Sequence, residues 1–274
     1  MTREALLASV DALRAAGIEE PRLDAELLLS EATGWDRARM AANPEEEISP
    51  AATRRFAEMV RRRLRREPVA YILGKRGFRH LDLHVDRRVL IPRPETELLV
   101  ELALELRPRS LLDVGTGSGA VALAIASELP GCAVSATDTS MPALAVARAN
   151  AERLGLAARI EFHEGTVPPH SEEFDLVVAN LPYVSEGDWS QLQREVTEWE
   201  PREALLAGAD GLDAVRAVIP VLAGVADTLA LEIGEGQAAA VRELLRLGGF
   251  GATESRPDLA GIERLAIGRS GSAS

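Results

Sequence analysis

A short polar stretch that follows an apolar run has the residue types needed to hold a planar nitrogen group. Phe174–Ala179 is mostly apolar and rich in β-branched residues, which is typical of a buried strand. The next residues read Asn180-Leu181-Pro182-Tyr183. Asn180 can offer a side-chain carbonyl oxygen, Leu181 a backbone carbonyl oxygen, and Tyr183 a flat aromatic face. Two acceptors beside a ring suit a planar NH2 group, although Asn and Pro are also ordinary residues of a strand-ending turn.

A glycine-rich turn upstream provides a second place for a ligand. It lies between a predicted strand, Leu111–Val114, and a predicted helix, so its backbone can approach a ligand closely and the helix start favours an anionic group. Its third glycine comes one residue earlier than in the dinucleotide fingerprint, and Asp138 ends the next predicted strand, where an acid binds ribose hydroxyls. We therefore predict S-adenosylmethionine, rather than NAD, as the cofactor, with contacts from Gly115, Thr116, Gly117, Ser118, Gly119 and Asp138.

The two sites together predict methyl transfer to a nitrogen atom. A sulfonium methyl group is already electrophilic, so the protein must hold the nitrogen in line and accept hydrogen bonds from its hydrogens. Asn180 and Leu181 can accept these bonds, which strengthen as the attacking nitrogen makes its hydrogens more acidic. Tyr183 would pack on the planar group. No dedicated general base is required, because the proton can leave after the methyl transfer.

Composition limits the classes of function. The chain has 274 residues, 46% of them hydrophobic and 27% charged, which is ordinary for a soluble globular protein. Its net charge of −12 does not favour general nucleic-acid binding. The single cysteine, Cys132, excludes an internal disulfide and fits a reducing compartment. With neither a signal-peptide pattern nor an apolar run long enough for a membrane span, we expect a soluble cytoplasmic protein. His163 and His170 match no metal-ligand spacing, so no metal site is expected.

The elements that must position these residues follow an α/β pattern. From Ser110 onward predicted strands and helices alternate, which is the signature of a parallel sheet, and two short segments near Ala252 and Leu265 can close it as an antiparallel hairpin. We predict strands at Leu111–Val114, Ala133–Thr137, Ile160–His163, Phe174–Ala179 and Leu229–Ile233, and helices at Gly119–Leu129, Met141–Leu154, Leu212–Val221 and Gln237–Leu247.

The residues before the sheet divide into two predicted segments. Residues 1–67 have helical periodicity, with Leu6, Leu7, Val10 and Leu13 as a buried stripe, and helices are expected to open at Pro21 and at Ser49-Pro50. Residues 68–92, which include Tyr71 and the alternating Leu81–Val85, are predicted to form a bridging hairpin or linker. Residues 93–274 form the predicted methyltransferase domain.

The third predicted helix carries a basic cluster. Either it is a solvated helix face or it is a docking surface for an acidic or RNA-associated partner. Its members are Arg54, Arg55, Arg61, Arg62, Arg63, Arg65 and Arg66.

Several motifs extend the argument from chemistry to family. Across essentially its whole length, the chain resembles the peptide chain release factor glutamine methyltransferases, a branch of the class I S-adenosylmethionine-dependent methyltransferases. The glycine turn and the Asn-x-Pro-Tyr turn are shared with many methyltransferases, whereas Ile91–Glu97 and Glu200-Pro201-Arg202 are more specific. Further resemblance lies in Pro68–Gly74, Asp210-Gly211-Leu212, and Glu232-Ile233-Gly234 with Gln237.

The resemblance implies a fold and an activity. The fold is a Rossmann-like class I methyltransferase sheet, mostly parallel with an antiparallel closing hairpin, preceded by a small helical substrate-docking domain. The activity is methylation of the side-chain amide nitrogen, N(5), of the glutamine in the Gly-Gly-Gln loop of release factors. We expect a monomer that forms no stable complex with nucleic acid and does not bind membranes.

The resemblance also assigns residues. It implies that Thr166, Val167 and Asn180 join the cofactor contacts, and that Asn180, Leu181, Pro182 and Tyr183 form the glutamine site. In the family-specific stretch, Arg93 and Pro94 are candidate substrate contacts, although two prolines around an arginine can also be a rigid connector.

Two departures from the family pattern leave alternatives open. Leu181 replaces the usual proline, and the same form occurs in rRNA adenine dimethylases. Thr166 stands where an acid is common. The alternatives are a ribosomal-protein glutamine methyltransferase, an N(6)-adenine methyltransferase of RNA or DNA, and a binding protein without catalysis.

Overall fold

The computed structural model describes residues 2–169 and 173–271. His170, one of the two histidines considered above, lies outside the described residues. The helices within these ranges are α1 (Thr2–Ala15), α2 (Pro21–Thr33), α3 (Arg37–Ala42), α4 (Pro50–Leu64), α5 (Val69–Leu73), α6 (Glu97–Leu106), α7 (Ala120–Glu128), α8 (Met141–Arg153), α9 (Arg194–Trp199), α10 (Asp213–Leu222) and α11 (Ala238–Leu247). The strands are β1 (Lys75–Phe78), β2 (Leu81–His84), β3 (Ser110–Val114), β4 (Ala133–Asp138), β5 (Ile160–Glu164), β6 (Phe174–Ala179), β7 (Ala226–Glu232), β8 (Phe250–Pro257) and β9 (Glu263–Ser270).

The chain divides into two compact units. The first consists of Met1–Lys75 with Gln193–Trp199, and the second of Arg76–Leu192 with Glu200–Ser274. The grouping of Gln193–Trp199 with the first unit was not anticipated, because the sequence pattern placed this segment within 93–274. The boundaries 1–67, 68–92 and 93–274 remain a prediction.

The first unit is helical, and its helices begin where capping chemistry predicts. Pro21 occupies the first turn of α2, and the Ser49 hydroxyl accepts a hydrogen bond from the Ala52 N–H at 3.2 Å to cap α4. Its core includes Leu28 and Phe56, which are buried between the helices. Burial of these apolar side chains supplies most of the driving force for a unit of this kind.

Two local expectations for this region were wrong, and one short helix was missed. Leu7 is 49% exposed and does not belong to the buried stripe of α1. Helix α3, capped by the Asp36 carboxylate, was not predicted, because six residues are too few for a periodic signal. Tyr71 lies in helix α5 and not in a hairpin strand, whereas the two-stranded sheet of β1 and β2 does form just after it.

Some arginines of the basic cluster are buried or form ion pairs with carboxylates of the first unit. Arg63 is 7% exposed, and its guanidinium contacts Asp24 at 2.6 Å and Glu195 at 2.8 Å. Arg62 pairs with Glu67 at 2.5 Å. Burial raises the pKa of Asp24, and the Arg63 guanidinium opposes that shift. Part of the cluster therefore serves the interior of the first unit.

The second unit contains the predicted α/β sheet. In the described residues it has seven strands in the order β5-β4-β3-β6-β7-β9-β8. The pairs from β5 to β7 are parallel, and β9 pairs antiparallel with both β7 and β8. The predicted strands and helices are present, with the largest shift at β7, which begins at Ala226 rather than Leu229. The closing hairpin is also confirmed, with longer strands than the sequence indicated.

Alternate residues of the central strands face opposite layers of helices. Leu111 of β3 packs in the layer that contains α6 and α7, whereas Leu112 packs in the layer of α10 and α11. A strand that is buried on both faces needs an apolar run rather than an alternating pattern, as β3 and β6 have. The chain runs outward from β3 through β4 to β5 and then returns to β6 on the other side of β3. The carboxyl ends of β3 and β6 therefore flank the point where open α/β sheets bind ligands.

Candidate active site

A cavity of about 340 Å³ opens in the second unit at the carboxyl ends of β3, β4 and β6. The structure brings many of the predicted site residues to its wall. These are Gly115, Thr116, Gly117, Ser118, Asp138, Thr166, Asn180, Leu181 and Pro182. Residues of the Val89–Pro92 region, of α7, of α10 and of the segment 201–204 also line the cavity.

The three glycines of the turn have positive φ angles, and backbone hydrogen bonds fix the start of the turn. The N–H groups of Gly115 and Thr116 both donate to the Thr137 carbonyl oxygen, at 2.8 and 2.9 Å. Gly119 has a φ of +84°, and a Cβ there would lie 2.9 Å from Leu123 Cδ1. Gly119 therefore serves the close packing of the turn on α7, while Gly115, Thr116, Gly117 and Ser118 border the cavity.

A buried carboxylate, that of Asp113, lies beneath the turn and was expected only as one residue of the predicted strand Leu111–Val114. Asp113 accepts hydrogen bonds from the Thr116 hydroxyl at 2.6 Å and from the Ala122 N–H at 3.2 Å. It thereby ties the end of β3 to the turn and to the first residues of α7. Burial raises the pKa of Asp113 to about 6. The sequence signal that could have identified Asp113 is an acidic residue inside an otherwise apolar predicted strand.

Asp138 lies at the end of β4, as predicted, and backbone groups fix its carboxylate. Oδ2 accepts from the Gly117 N–H at 2.9 Å, and Oδ1 accepts from the Ser140 N–H at 2.8 Å. Burial raises its pKa, and these hydrogen bonds oppose the shift. Each oxygen keeps a second lone pair, so the carboxylate can still accept a ribose hydroxyl at the cavity wall.

Thr166 and Val167, the two residues after β5 that are predicted to contact the cofactor, have different surroundings. Thr166 borders the cavity, and its carbonyl oxygen accepts from the Thr137 hydroxyl at 3.0 Å. Val167 is partly buried and packs against the apolar layer of α10 and α11. The structure thus brings Thr166, but not the packed side chain of Val167, to the cavity.

Asn180 has a fixed amide. Its Nδ2 donates to the Thr96 hydroxyl at 3.0 Å. The carbonyl oxygen of the same amide is a hydrogen-bond acceptor. Thr96 and Asn180 both border the cavity, so the Asn180 oxygen is available as an acceptor there.

Tyr183 is half-buried and is held through its backbone. Its carbonyl oxygen accepts from Gln237 Nε2 at 3.0 Å, and Gln237 Oε1 accepts from the Gly234 N–H at 2.9 Å. Gly211 has a φ of +76°, and a Cβ there would lie 2.3 Å from the Tyr183 oxygen. Burial, together with the charge of Glu232, raises the pKa of the Tyr183 hydroxyl to about 12, so the ring stays neutral.

The two motifs most specific to the resemblance meet through one buried carboxylate. Glu200 accepts from Arg93 at 2.5 Å and from the Ile91 N–H at 3.0 Å. The Arg93 guanidinium is therefore engaged by Glu200, and Pro94, which begins a 3₁₀ turn, is exposed. Their role as substrate contacts remains a prediction.

The supporting residues Thr96, Glu200 and Gln237 could be identified in the sequence only as members of motifs, without a role. Their roles depend on hydrogen bonds between residues far apart in the chain, which spacing alone does not reveal. Among the described residues, no group of three or more His, Cys, Asp or Glu side chains is arranged to hold a metal ion.

Comparisons with known proteins bear on both units. Residues 4–74 match the PrmC N-terminal domain, and residues 94–198 match the methyltransferase small domain. The chain is 44% identical to the release factor glutamine methyltransferase of Moorella thermoacetica over 272 residues, which cover 96% of this chain and 96% of that protein. The chain belongs to this family. The release factor glutamine methyltransferase of Geobacter sulfurreducens is 41% identical over 262 residues, covering 93% of this chain and 92% of that protein.

The fold of this release factor glutamine methyltransferase family member is shared with more distant enzymes. The hMettl16 catalytic domain, solved in complex with MAT2A 3'UTR hairpin 6, superposes with a TM-score of 0.57 at 15% identity. The superposition covers 70% of this chain and 76% of that one. At this identity the likeness supports the methyltransferase sheet and carries no argument about the substrate. No helix in the described ranges is long and apolar enough to cross a membrane.

Proposed function

We propose that this protein transfers a methyl group from S-adenosylmethionine to the side-chain amide nitrogen of the glutamine in the Gly-Gly-Gln loop of peptide chain release factors. The family membership supports the activity and the class of substrate. The observation that carries the chemistry is the Asn180 amide, which is fixed through Nδ2 and borders the cavity next to the glycine turn.

The residues around the cavity fit a sulfonium nucleoside. The Gly115–Ser118 backbone and the start of α7 would hold the methionine carboxylate, because a glycine turn before a helix favours an anion. Asp138 would accept the ribose hydroxyls, and Thr166 would border the base. The cofactor supplies an electrophilic methyl group when bound. With about 340 Å³, the cavity has the size of a small-molecule site.

The acceptor side would recognise the planar amide of glutamine. Asn180 Oδ1 and the Leu181 carbonyl oxygen accept hydrogen bonds from the amide NH2, and Pro182 and Tyr183 form the turn against which the amide packs. These hydrogen bonds strengthen as the nitrogen becomes positive, so they lower the barrier more than they tighten binding of the substrate. Leu181 acts through its backbone, which explains why leucine is compatible with this site. The proton leaves the nitrogen after the methyl group has been transferred.

We also propose how the protein meets its substrate. The helical segment 1–67 docks the release factor, and Arg93 and Pro94 contact the substrate near the turn of residues 180–183. The protein acts as a monomer and forms no stable complex with nucleic acid, in keeping with its net charge of −12.

The test is methyl transfer from labelled S-adenosylmethionine to a purified bacterial release factor. We expect label on the wild-type factor and none on a factor in which the glutamine of the Gly-Gly-Gln loop is replaced by alanine. The same assay is run with ribosomal proteins and with rRNA and DNA. Labelling of ribosomal proteins in place of the release factor would overturn the proposal and favour a ribosomal-protein glutamine methyltransferase. Labelling of rRNA or DNA instead would overturn it and favour an adenine methyltransferase.

A further inference from the structure

A buried asparagine on α8 is hydrogen-bonded to the glycine turn and to the end of β2. Asn150 is completely buried, with 0% of its surface exposed. Its Nδ2 donates to the Ser118 carbonyl oxygen and to the His84 carbonyl oxygen, each at 2.9 Å. Its Oδ1 accepts from the His84 N–H at 2.7 Å. One side chain of α8 therefore fixes backbone groups that lie 32 and 66 positions away in the chain.

These partners allow one orientation of the Asn150 amide. A carbonyl oxygen can only accept a hydrogen bond and a backbone N–H can only donate one, so the NH2 group must face the two carbonyls and Oδ1 must face the N–H. The Arg153 guanidinium, which is a pure donor, also contacts Oδ1, at 3.2 Å. Among side chains of this size, only asparagine supplies two donors and an acceptor at once.

The bond to Ser118 fixes the part of the glycine turn that leads into α7. Thr137 and Asp138 already hold N–H groups in the first part of the turn. Ser118 borders the cavity, whereas Asn150 is not part of the cavity wall. The Ser118 carbonyl oxygen is thus engaged by a buried NH2 group, so its partial negative charge does not oppose an anion bound at the turn.

The two bonds to His84 fix a second segment of the cavity wall. His84 ends β2, and its N–H and carbonyl oxygen both pair with the Asn150 amide, as they would with a neighbouring strand. The chain then continues into the segment 88–92, in which Arg88, Val89, Leu90 and Pro92 border the cavity. Asn150 therefore joins this segment to the glycine turn through a single buried amide.

We infer that Asn150 is a positioning residue for cofactor binding, which holds the glycine turn and the segment 88–92 in the arrangement that S-adenosylmethionine needs. Without the amide, the cofactor has to order both segments when it binds, and this ordering lowers its affinity. The inference rests on the proposed function only in that S-adenosylmethionine occupies this cavity. It does not depend on the identity of the methyl acceptor.

The experiment measures the Kd of S-adenosylmethionine by calorimetry for variants that change the amide and keep its approximate shape. Asn150→Asp keeps the acceptor and removes both donors, whereas Asn150→Leu removes all three bonds to the backbone. Arg153→Ala removes the guanidinium beside Oδ1 and leaves those three bonds in place. Asn43→Asp is the matched control, because Asn43 is exposed in the first unit and its Nδ2 donates to the Arg39 carbonyl oxygen at 3.1 Å.

We expect Asn150→Asp and Asn150→Leu to raise the Kd of S-adenosylmethionine by about tenfold or more, because backbone groups of both segments lose their buried partner. At saturating cofactor, kcat should fall by less than about threefold, and KM for the release factor should be unchanged. Arg153→Ala and Asn43→Asp should bind the cofactor within about twofold of wild type. A residue that served only the stability of the fold would lower the urea midpoint and leave the Kd of the folded protein unchanged.

A measurement on the wild-type protein covers the case in which neither Asn150 variant folds. The His84 N–H donates to Asn150 and does not border the cavity, so its hydrogen exchange reports on the link. We expect saturating S-adenosylmethionine to slow exchange of the His84 amide by at least about threefold, as measured by NMR. Exchange at the same rate with and without the cofactor would overturn the inference.

The outcomes separate the inference from the proposed function. If the wild type binds S-adenosylmethionine and a folded Asn150→Leu protein binds it equally well, the inference is overturned and the proposed function stands. If the wild type binds the cofactor without methylating the release factor, the proposed function fails, while weaker binding by the Asn150 variants still supports the inference. A wild-type protein that does not bind S-adenosylmethionine would overturn both.

Discussion

Asn180 provides the acceptor oxygen on which the proposed chemistry depends. Its amide is anchored by Thr96, so substitution removes both the acceptor and a hydrogen bond at the cavity wall. We expect Asn180→Ala to lower kcat by about 10²- to 10³-fold, because the lost hydrogen bond is stronger in the transition state than in the ground state. The Kd of S-adenosylmethionine, measured by calorimetry, should change little. Wild-type kcat in this variant would show that the acceptor geometry is wrong.

Asp138 is expected to act on cofactor affinity instead. Asp138→Ala removes the acceptor for ribose and also frees the Gly117 and Ser140 N–H groups that the carboxylate now holds. We expect the cofactor Kd to rise by at least about tenfold, as loss of a charged hydrogen-bond acceptor does. At saturating cofactor, kcat should fall much less than in Asn180→Ala. A fall in kcat with unchanged cofactor Kd would contradict this assignment.

Glu232 gives the stability of the fold a specific dependence on pH. Burial raises its pKa from 4.5 to about 7, so between these values the folded protein binds a proton that the unfolded chain has released. The wild type therefore loses stability as the pH rises through this window. Glu232→Gln does not titrate, so its free energy of unfolding relative to wild type should increase from about pH 5 to about pH 7.5, by at most about 3 kcal/mol. Urea unfolding across this range tests it, and a pH-independent difference would contradict the shift.

At the scale of elements, the ion pairs of α4 show which arginines of the basic cluster carry structure. Arg63→Ala would leave Asp24 and Glu195 buried without the guanidinium that now joins them within the first unit. We expect a loss of about 3–5 kcal/mol in the free energy of unfolding, because an unpaired buried charge is costly. The loss should be smaller in acid, where Asp24 can take up a proton.

The same helix offers a matched control for that prediction. Arg61 pairs with Glu58 at 2.5 Å on the exposed face of α4. Arg61→Ala should leave the unfolding midpoint unchanged within error, since exposed ion pairs contribute little. Comparable losses for the two variants, measured by urea unfolding, would show that Arg63 is not a structural residue.

The order of elements could be predicted from the sequence where the pattern was strong. The apolar runs of β3 and β6 and the glycine turn between strand and helix are local signals, and the structure has these elements where the sequence indicated them. Short helices escaped prediction, because α3 and α9 are too brief for a periodic pattern. Tyr71 was misassigned because a bulky aromatic residue favours strands locally, whereas packing against the helices of the first unit decided its conformation.

The residues at the strand ends of the candidate site could be predicted from the sequence, whereas the residues that hold them in place could not. Residue type and position at strand ends pointed to Asn180 and Asp138 without structural information. Thr96 and Glu200 act through partners that are distant in the chain, 84 positions between Thr96 and Asn180 and 109 between Ile91 and Glu200. Such relations depend on the folded topology, in which the carboxyl ends of β6 and β7 come together with the turn before α6.

At the scale of the whole molecule, two units carry different properties. The second unit contains the sheet, the cavity and every residue to which the proposed transfer step assigns a role. The first unit matches the PrmC N-terminal domain and contains part of the basic cluster in buried ion pairs. Family membership across both units, at 44% identity to one relative, supports a protein substrate for this chain.

The most direct test of the central claim is to locate the transferred methyl group. Wild-type protein is incubated with S-adenosylmethionine and a full-length bacterial release factor, and the Gly-Gly-Gln peptide is sequenced by tandem mass spectrometry. The account predicts a gain of one methyl group whose fragment ions place it on the glutamine side chain, and a methylated fraction with Asn180→Ala that is far smaller after the same reaction time. A methyl group on any other residue, or methylation of adenine in a parallel RNA or DNA sample with an unmodified release factor, would contradict it.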